Sequence, residues 1–340
     1  MPFANSIRTM VASANAHKTR KVRWAVVGLG NIAQVAVLPA FEHASENAKL
    51  VALVSSDHDK RDKLGKKYGA LALGTYDELE RVIEEAGIEA VYVAVPTSLH
   101  REMAERVARA GANVLCEKPM ATTSQDCEAM IEACEDAGVK LMIARRLRFE
   151  ASKLGEIGEP RIFTSVLTNA RARGGALLDM GVQCVAAARH VFGAEPLSVV
   201  AMQTVGDDPF RRVDETTSVV MRFPGDRIAQ LVASEGVPFV SELRVIGTKG
   251  DAFVDAIASR IEDEIVHFSN CIALGTAPES SGTEGLADVR IIEAIIRSAA
   301  TREVVHVESI ERTSRPSRWP EIRRPGLRAP KTIHAPSPSK

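Results

Sequence analysis

The sequence predicts an α/β domain followed by an α+β domain: a doubly wound parallel sheet first, and a mainly antiparallel sheet second. Up to about residue 144, short apolar runs alternate with amphipathic stretches, which is typical of parallel strands joined by helices. After Phe149, strand-like runs follow one another without intervening helices, which indicates an antiparallel sheet. A chain of 340 residues is long enough for each domain to bury its own core.

The strands of the first domain are predicted from short, almost wholly apolar runs, because a parallel strand is buried on both faces. They are residues 23–27, 50–54, 90–95, 113–116 and 140–144. Amphipathic stretches predict one helix after the first strand, which ends near residue 44. They predict three further helices over residues 76–86, 99–110 and 124–137. Asp77 and Glu78 favour a helix start, because acidic side chains stabilise the positive end of the helix dipole.

In the second domain, one helix at about residues 176–192 precedes a series of strands. The strand-like runs are residues 198–204, 216–223, 228–234, 242–246 and 252–255, and helices near 262–273 and 284–300 close the domain. Residues 228–233 carry apolar side chains at both parities, so both faces of this strand are predicted to be buried. A second copy of the chain is the simplest cover for the second face, which predicts a homodimer or homotetramer.

The overall composition argues against several classes of protein. With 43 basic and 44 acidic residues the net charge is −1, which favours neither nucleic acid nor an anionic membrane as a partner. No apolar stretch approaches the length of a membrane span. The five cysteines are odd in number and scattered, so free thiols in a reducing compartment, the cytoplasm, are expected, with no metal site.

A glycine-rich turn, Gly28-Leu29-Gly30-Asn31-Ile32-Ala33, follows the first strand and opens the first helix. In this G-x-G-x-x-A pattern the first glycine permits a tight turn, and the second lets the backbone approach a pyrophosphate. The alanine lets the helix pack closely, and the helix start offers N–H groups to phosphates. The motif therefore predicts a dinucleotide site; a tight turn without a ligand is the alternative.

The end of the second strand bears on the choice of cofactor. An acidic residue there binds the ribose 2′-hydroxyl of NAD, whereas a small hydroxyl with nearby cations suits the 2′-phosphate of NADP. This chain has Ser55 at that position and Lys60 shortly after it, which favours NADP. Asp57 lies between them and leaves NAD possible.

Lys118 follows the strand at residues 113–116, in the segment Glu117-Lys118-Pro119. Ligands of open α/β sheets bind at the carboxyl ends of the strands. The Lys118 ammonium is therefore expected to lie beside the cofactor, where it can do chemistry; a solvated surface cation is the alternative.

Several segments resemble a known family, and they occur in the family's order over most of the chain. They are AVVGLG (residues 25–30), VPTSLH (95–100), CEKPM (116–120), GGALLDMG (174–181), VIGTKG (245–250) and EGLAD (284–288). The chain resembles the glucose–fructose oxidoreductase/inositol dehydrogenase family, known as Gfo/Idh/MocA. The continuation QVAVLPAF (34–41) is similar to its glucose–fructose oxidoreductase-like branch.

The resemblance implies an oxidoreductase that transfers a hydride between a nicotinamide cofactor and a sugar or polyol. Together with the sequence pattern it predicts a Rossmann domain over residues 21–148 and an α+β substrate and oligomerisation domain over 149–311. The composition of the ends predicts an arm over 1–20 and an extended tail, rich in Pro, Arg and Ser, over 312–340. Lys118, Asp179 and Gln183 are the implied catalytic positions. The cofactor-binding residues are expected to be Gly28, Leu29, Gly30, Asn31, Ile32, Ser55, Lys60, Val95, Pro96, Thr97, His100, Glu117, Lys118 and Arg146.

The chain departs from the family where proton transfer is expected. The family carries His or Tyr four residues after the aspartate, and this chain carries Gln183, whose amide does not titrate near neutral pH. Segments 150–160, 169–174 and 255–268 are also short for the family, which indicates a trimmed pocket wall. Two hypotheses therefore remain: an NADP-dependent sugar or polyol oxidoreductase, or a cofactor-binding homologue with weak or no catalysis that acts as a sensor or partner subunit.

Overall fold

The first sheet has six parallel strands in the spatial order β3-β2-β1-β4-β5-β6. The computed structural model describes residues 20–144, 155–170, 174–206, 213–254, 261–308, 310 and 330–335. The strands of this sheet are β1 (Val22–Val27), β2 (Ala48–Val54), β3 (Ala72–Gly74), β4 (Ala90–Val93), β5 (Asn113–Cys116) and β6 (Leu141–Ile143). Strand order reverses between β1 and β4, and such a switch point opens a crevice at the carboxyl ends of the strands. The predicted parallel sheet is confirmed.

Helices cover both faces of this sheet, because alternate residues of each buried strand point to opposite sides. In β1, Trp24 and Val26 belong to one apolar cluster, and Ala25 and Val27 belong to the other. The helices are α1 (Leu38–His43, preceded by a π-helical turn at Ala33–Val37), α2 (His58–Tyr68), α3 (Leu79–Glu85), α4 (His100–Arg109) and α5 (Ser124–Asp136).

The second sheet has seven strands in the order β12-β11-β7-β10-β9-β8-β13. Its strands are β7 (Pro160–Asn169), β8 (Ser198–Val205), β9 (Asp214–Phe223), β10 (Arg227–Glu235), β11 (Val240–Gly247), β12 (Asp251–Val254) and β13 (Val305–His306). Only the central pair β7–β10 is parallel among the pairs of this sheet that the structure describes. The prediction of a mainly antiparallel sheet is confirmed.

Strand β7 was missing from the predicted strands, although it lies at the centre of the sheet. Its sequence has a polar residue on each face of the strand: Thr164 faces one side and the buried Ser165 faces the other. This hides the apolar alternation of Phe163 and Leu167, which are buried. A strand with a polar residue on each face gives no clear period-2 signal.

Helices α6 (Val182–Phe192, preceded by a π-helical turn at Leu177–Gly181) and α8 (Gly282–Thr301) pack on the inner face of the second sheet. Helix α7 (Ile261–Leu274) instead packs on the first sheet, where Ser269 Oγ accepts a 3.0 Å bond from the Trp24 indole. Carboxyl-terminal helices thus contribute to both cores. The proposed domain limits of 21–148 and 149–311 stay predictions.

The outer face of the second sheet is not covered by the described part of the chain. Ile162, Val220 and Ile228 are about two-fifths exposed, and Met202 is 79% exposed. In the described part of the chain no helix packs on this side and Ile228 and Gln230 are exposed, so burial of both faces of residues 228–233, with a second copy as the cover, stays a prediction. None of the described helices is long and apolar enough to cross a membrane.

A buried ion network joins α6 to α8. Arg189 is 3% exposed and donates hydrogen bonds to Glu195 (2.6 Å), Glu284 (3.2 Å) and Asp288. Burial alone would lower the pKa of this guanidinium, but the Asp288, Glu195 and Glu284 carboxylates raise it above its ordinary value. Glu284 and Asp288 are the two acids of the EGLAD segment, so their spacing places both on the helix face that meets Arg189.

Removal of the cation should destabilise the fold. Arg189→Met leaves buried carboxylates without their partner, so we expect the free energy of unfolding to fall by about 3–5 kcal/mol. Arg290→Met is the matched control, because the Arg290–Glu128 pair is partly exposed and such pairs contribute about 1 kcal/mol or less. Urea unfolding of both variants measures the difference, and equal losses would contradict a stabilising role for the buried network.

A second copy of the chain is the proposed cover for the outer sheet face. We expect the protein to be a dimer or tetramer at micromolar concentration, and Ile228→Asp to shift it towards monomer by placing a charge in an apolar contact. Leu71→Asp is the control, because Leu71 is 74% exposed and lies on the first domain. Light scattering decides the outcome; a stable wild-type monomer would rule out this cover.

Candidate active site

The glycine turn is held against the loop that follows β4. Gly28 has φ +89°, and a Cβ atom there would lie 2.6 Å from the carbonyl oxygen of Ala94. Its N–H also donates to Val54 at the end of β2. Only glycine permits both the left-handed backbone and this approach. Gly28 thus fixes the ends of β1, β2 and β4 relative to one another.

The rest of the turn is open where a phosphate would need space. A Cβ atom on Gly30 would meet nothing within 4 Å, whereas Ala33 is fully buried under the helix. Asn31 and Ile32 are half-buried at the helix start, and Leu29 is buried. An open glycine beside the first N–H groups of a helix fits a dinucleotide pyrophosphate.

The loop after β2 is organised around Asp57. Asp57 caps α2 by accepting the Lys60 N–H at 3.0 Å, and its other oxygen lies 3.5 Å from Lys60 Nζ. The bond from the Lys60 N–H is the main reason that the pKa of Asp57 is lowered. Ser55 is buried, and its hydroxyl accepts the Asp57 N–H. Arg61 donates to the Ser55 carbonyl at 3.1 Å.

His100 lies beneath the loop after β4, where Val95 is buried, Pro96 is exposed and Thr97 is half-buried. The His100 ring is 1% exposed, with Nε2 3.0 Å from the Val95 carbonyl and Nδ1 3.0 Å from the Pro119 carbonyl. Burial lowers the pKa of His100, and a neutral imidazole donates to one carbonyl at a time. His100 thus links two loops; its contact with a cofactor stays a prediction.

The Glu117-Lys118-Pro119 segment follows β5 and contains a cis peptide bond between Lys118 and Pro119. Glu117 is buried, accepts a 3.0 Å hydrogen bond from the Tyr92 hydroxyl and accepts the Lys118 N–H at 3.2 Å. A buried carboxylate with a donor on each of its two oxygens fixes the backbone from which the Lys118 side chain extends.

The Lys118 side chain reaches across to the second domain. Its Nζ donates a 2.7 Å hydrogen bond to the main-chain carbonyl of Asp179, and the Gln183 amide donates to the same oxygen at 3.3 Å. The three catalytic candidates therefore meet at one carbonyl, and all three are partly exposed. The Asp179 carboxylate accepts the Gly174 N–H at 3.2 Å.

The helix that carries Asp179 opens with a π-helical turn instead of the α-helix predicted from residue 176. Asp214 supports this turn: it accepts the Leu177 N–H at 2.8 Å and the Thr217 hydroxyl at 2.6 Å. A Cβ atom on Gly175 would lie 2.4 Å from Asp214, so glycine is required for this contact. A π turn commonly marks a functional site.

One candidate lies outside the described residues, and two interactions of the site were not predicted from the sequence. Arg146, predicted to bind the cofactor, lies outside the described residues. Tyr92 was treated only as part of a strand, although a buried hydroxyl needs a partner. Asp57 was considered only as a ribose ligand. An Asp directly before the first residue of a helix is also a cap signal, because its side chain can accept a free N–H of the first turn. No group of three or more His, Cys, Asp or Glu side chains in the described ranges could hold a metal ion.

Family models match both domains of the chain. A family model described as an oxidoreductase family with an NAD-binding Rossmann fold matches residues 22–145, and the Gfo/Idh/MocA C-terminal domain matches residues 150–253. The D-xylose 1-dehydrogenase [NADP(+)] of Haloarcula marismortui is 26% identical, over 84% of this chain and 93% of that protein. The inositol 2-dehydrogenase of Rhizobium meliloti is 25% identical, over 84% and 99%.

A solved structure extends the likeness to the whole architecture. The aldose-aldose oxidoreductase of Caulobacter crescentus superposes with a TM-score of 0.80 at 33% identity, over 85% of this chain and 100% of that chain. Both domains of the family are matched, and the likeness covers the full length of this solved relative. The chain belongs to the Gfo/Idh/MocA family of oxidoreductases.

Proposed function

We propose that this protein is an NADP-dependent oxidoreductase that interconverts a hydroxyl and a carbonyl group of a sugar or polyol. The observation that carries this proposal is the position of Lys118, held by the Asp179 carbonyl beside Gln183 at the sheet edge that also bears the glycine turn. The names of the relatives support the substrate class, since they act on xylose, inositol and aldoses.

The loop after β2 supports NADP over NAD. Asp57 is engaged as a helix cap and faces Lys60, so its charge is compensated by a neighbouring cation. Ser55 leaves no acid at the strand end itself. A compensated carboxylate with Lys60 and Arg61 nearby tolerates a phosphate better than a lone acid would. The five cysteines are free and buried, in keeping with a reducing compartment, and we propose the cytoplasm.

A nicotinamide cofactor held at the glycine turn of Gly28 and Gly30 would supply or accept the hydride when bound. Lys118 donates an N–H to the reacting oxygen of the substrate and stabilises negative charge that develops on it. The bond to the Asp179 carbonyl fixes the direction of the ammonium. Gln183 holds a substrate hydroxyl or a water molecule beside Lys118. The amide cannot accept a proton, so Lys118 or the held water handles proton transfer.

Gln183 also favours a second candidate function, that of a cofactor-binding homologue with little turnover. The Gln183 amide donates a hydrogen bond to the main-chain carbonyl of Asp179, and a side chain with a purely structural role could make the same bond. Such a protein needs only the intact first domain, and it would serve as a sensor or partner subunit. Turnover measurements distinguish the two functions.

Replacement of Lys60 tests the cofactor choice. We expect Lys60→Ala to weaken NADP binding more than NAD binding, by about 1–3 kcal/mol, because one charge-assisted bond to the 2′-phosphate is lost. Lys63→Ala is the control, since Lys63 lies on the same helix in an exposed pair with Asp59. Fluorescence titrations give the dissociation constants; equal losses for the two cofactors would remove Lys60 from the site.

Replacement of Gln183 tests the proton path. We expect slow wild-type turnover, and Gln183→Tyr or Gln183→His to raise kcat by about 10²-fold, because a general acid–base group contributes on that scale. Lys118→Ala should abolish turnover and leave cofactor binding largely intact. Rates on a panel of aldoses, with Gln125→His on the exposed side of α5 as control, provide the measurement.

Two results would count against these assignments. A fast wild type that neither Gln183 variant accelerates would show that another group carries the proton. Cofactor binding without turnover in any variant would favour the non-catalytic homologue.

A further inference from the structure

The segment of residues 330–335 lies against the nucleotide-binding turn, far from its place in the sequence. Gln34, on the first turn after the glycines, is 1% exposed. Its side-chain oxygen accepts the Ile333 N–H at 2.6 Å, and its nitrogen donates to the Ile333 carbonyl at 2.7 Å and the Leu29 carbonyl at 2.9 Å. The Gln34 amide thus pairs with both the N–H and the carbonyl of Ile333, the two main-chain groups that a neighbouring strand would bond.

Two further contacts extend along the segment. Asn31 of the glycine turn donates to the Ala335 carbonyl at 3.4 Å, and Ala335 is buried. His334 Nδ1 lies 3.2 Å from Asp57 Oδ2 at the end of β2. The contacts therefore run from the loop expected to hold the pyrophosphate to the loop expected to hold the ribose. These are the two ends of the adenosine half of a dinucleotide site.

We propose that this carboxyl-terminal segment completes the adenosine end of the cofactor site and that His334 is a specificity-determining residue for the ribose 2′-phosphate. This inference rests on the proposed NADP function. Asp57 Oδ2 is approached by both Lys60 Nζ and His334 Nδ1. An uncompensated carboxylate at this point would repel a 2′-phosphate and bind a 2′-hydroxyl, so the imidazole moves the balance towards NADP.

The backbone conformation of His334 indicates that its side chain is held in one position. His334 has φ +47°, in the left-handed region that non-glycine residues seldom adopt. The two bonds between Gln34 and Ile333 and the bond from Asn31 to the Ala335 carbonyl hold it there on both sides. The imidazole remains 58% exposed, and Asp57 is its only hydrogen-bond partner within the described ranges. An exposed imidazole N–H donor on a fixed backbone is suited to meet an incoming phosphate.

The test is the binding of NADPH and NADH to the full chain with and without this imidazole. His334→Asn is the variant of choice, because Asn accepts the left-handed conformation and carries no charge. We expect its dissociation constant for NADPH to rise about tenfold and that for NADH to stay the same or fall. His334→Lys should retain the wild-type preference. His58→Asn is the control, because His58 follows Asp57 as the first residue of α2 and faces Asp62 instead.

Other outcomes overturn the inference in distinguishable ways. If the wild type binds neither cofactor, the proposed function itself fails. If both cofactors bind and His334→Asn changes neither constant, the function stands and His334 is not part of the site. An equal weakening of NADPH and NADH would mean that the segment supports the fold rather than the 2′-phosphate. An equal strengthening would mean that it covers the site and competes with the cofactor.

Discussion

The close approach of Gly28 to the backbone at Ala94 is the constraint on which the site depends. It brings the ends of β1 and β4 together where the strand order reverses. From there the contacts continue: His100 joins the β4 loop to Pro119, and Lys118, next to Pro119, reaches the Asp179 carbonyl. One line of backbone carbonyls and side-chain donors thus connects the nucleotide turn to the candidate catalytic group.

The second domain is tied into the same arrangement by its helices. Helix α7 packs its Phe268 against Trp24 on one side of the first sheet, and α8 joins the apolar cluster on the other side through Leu286 and Val289. The Arg189 network then fixes α8 to α6, whose π-helical turn carries Asp179. The distance between the two halves of the site is therefore set by packed helices, and a rigid frame of this kind suits precise placement of reacting groups.

The parts that could be predicted from the sequence are those with a local signal. Five of the six parallel strands, the glycine turn and Lys118 after β5 each depend on neighbouring residues. The structure places these five strands where the apolar runs occur, whereas the short strand β3 was not predicted. Strand β7 gave no such signal, because Thr164 and Ser165 interrupt both faces. The pairing of Gln34 with Ile333 joins residues 299 positions apart, so no periodicity could indicate it. A glutamine in an otherwise apolar helix start was the one available hint, since a buried amide must find partners.

The π-helical turns bear on how this site can change over time. Both helices that border the site, after Gly30 and after Gly175, begin with one. A π turn holds one residue more than the α-helical turn it replaces. Loss of that residue would rotate everything on its amino-terminal side by about 100°, the angle between successive α-helical residues. Such a deletion would leave the apolar pattern of α6 intact while it turned the Asp179 carbonyl away from Lys118. In lineages of this fold, single-residue deletions in these turns are therefore a route by which the chemistry can be lost although the core survives.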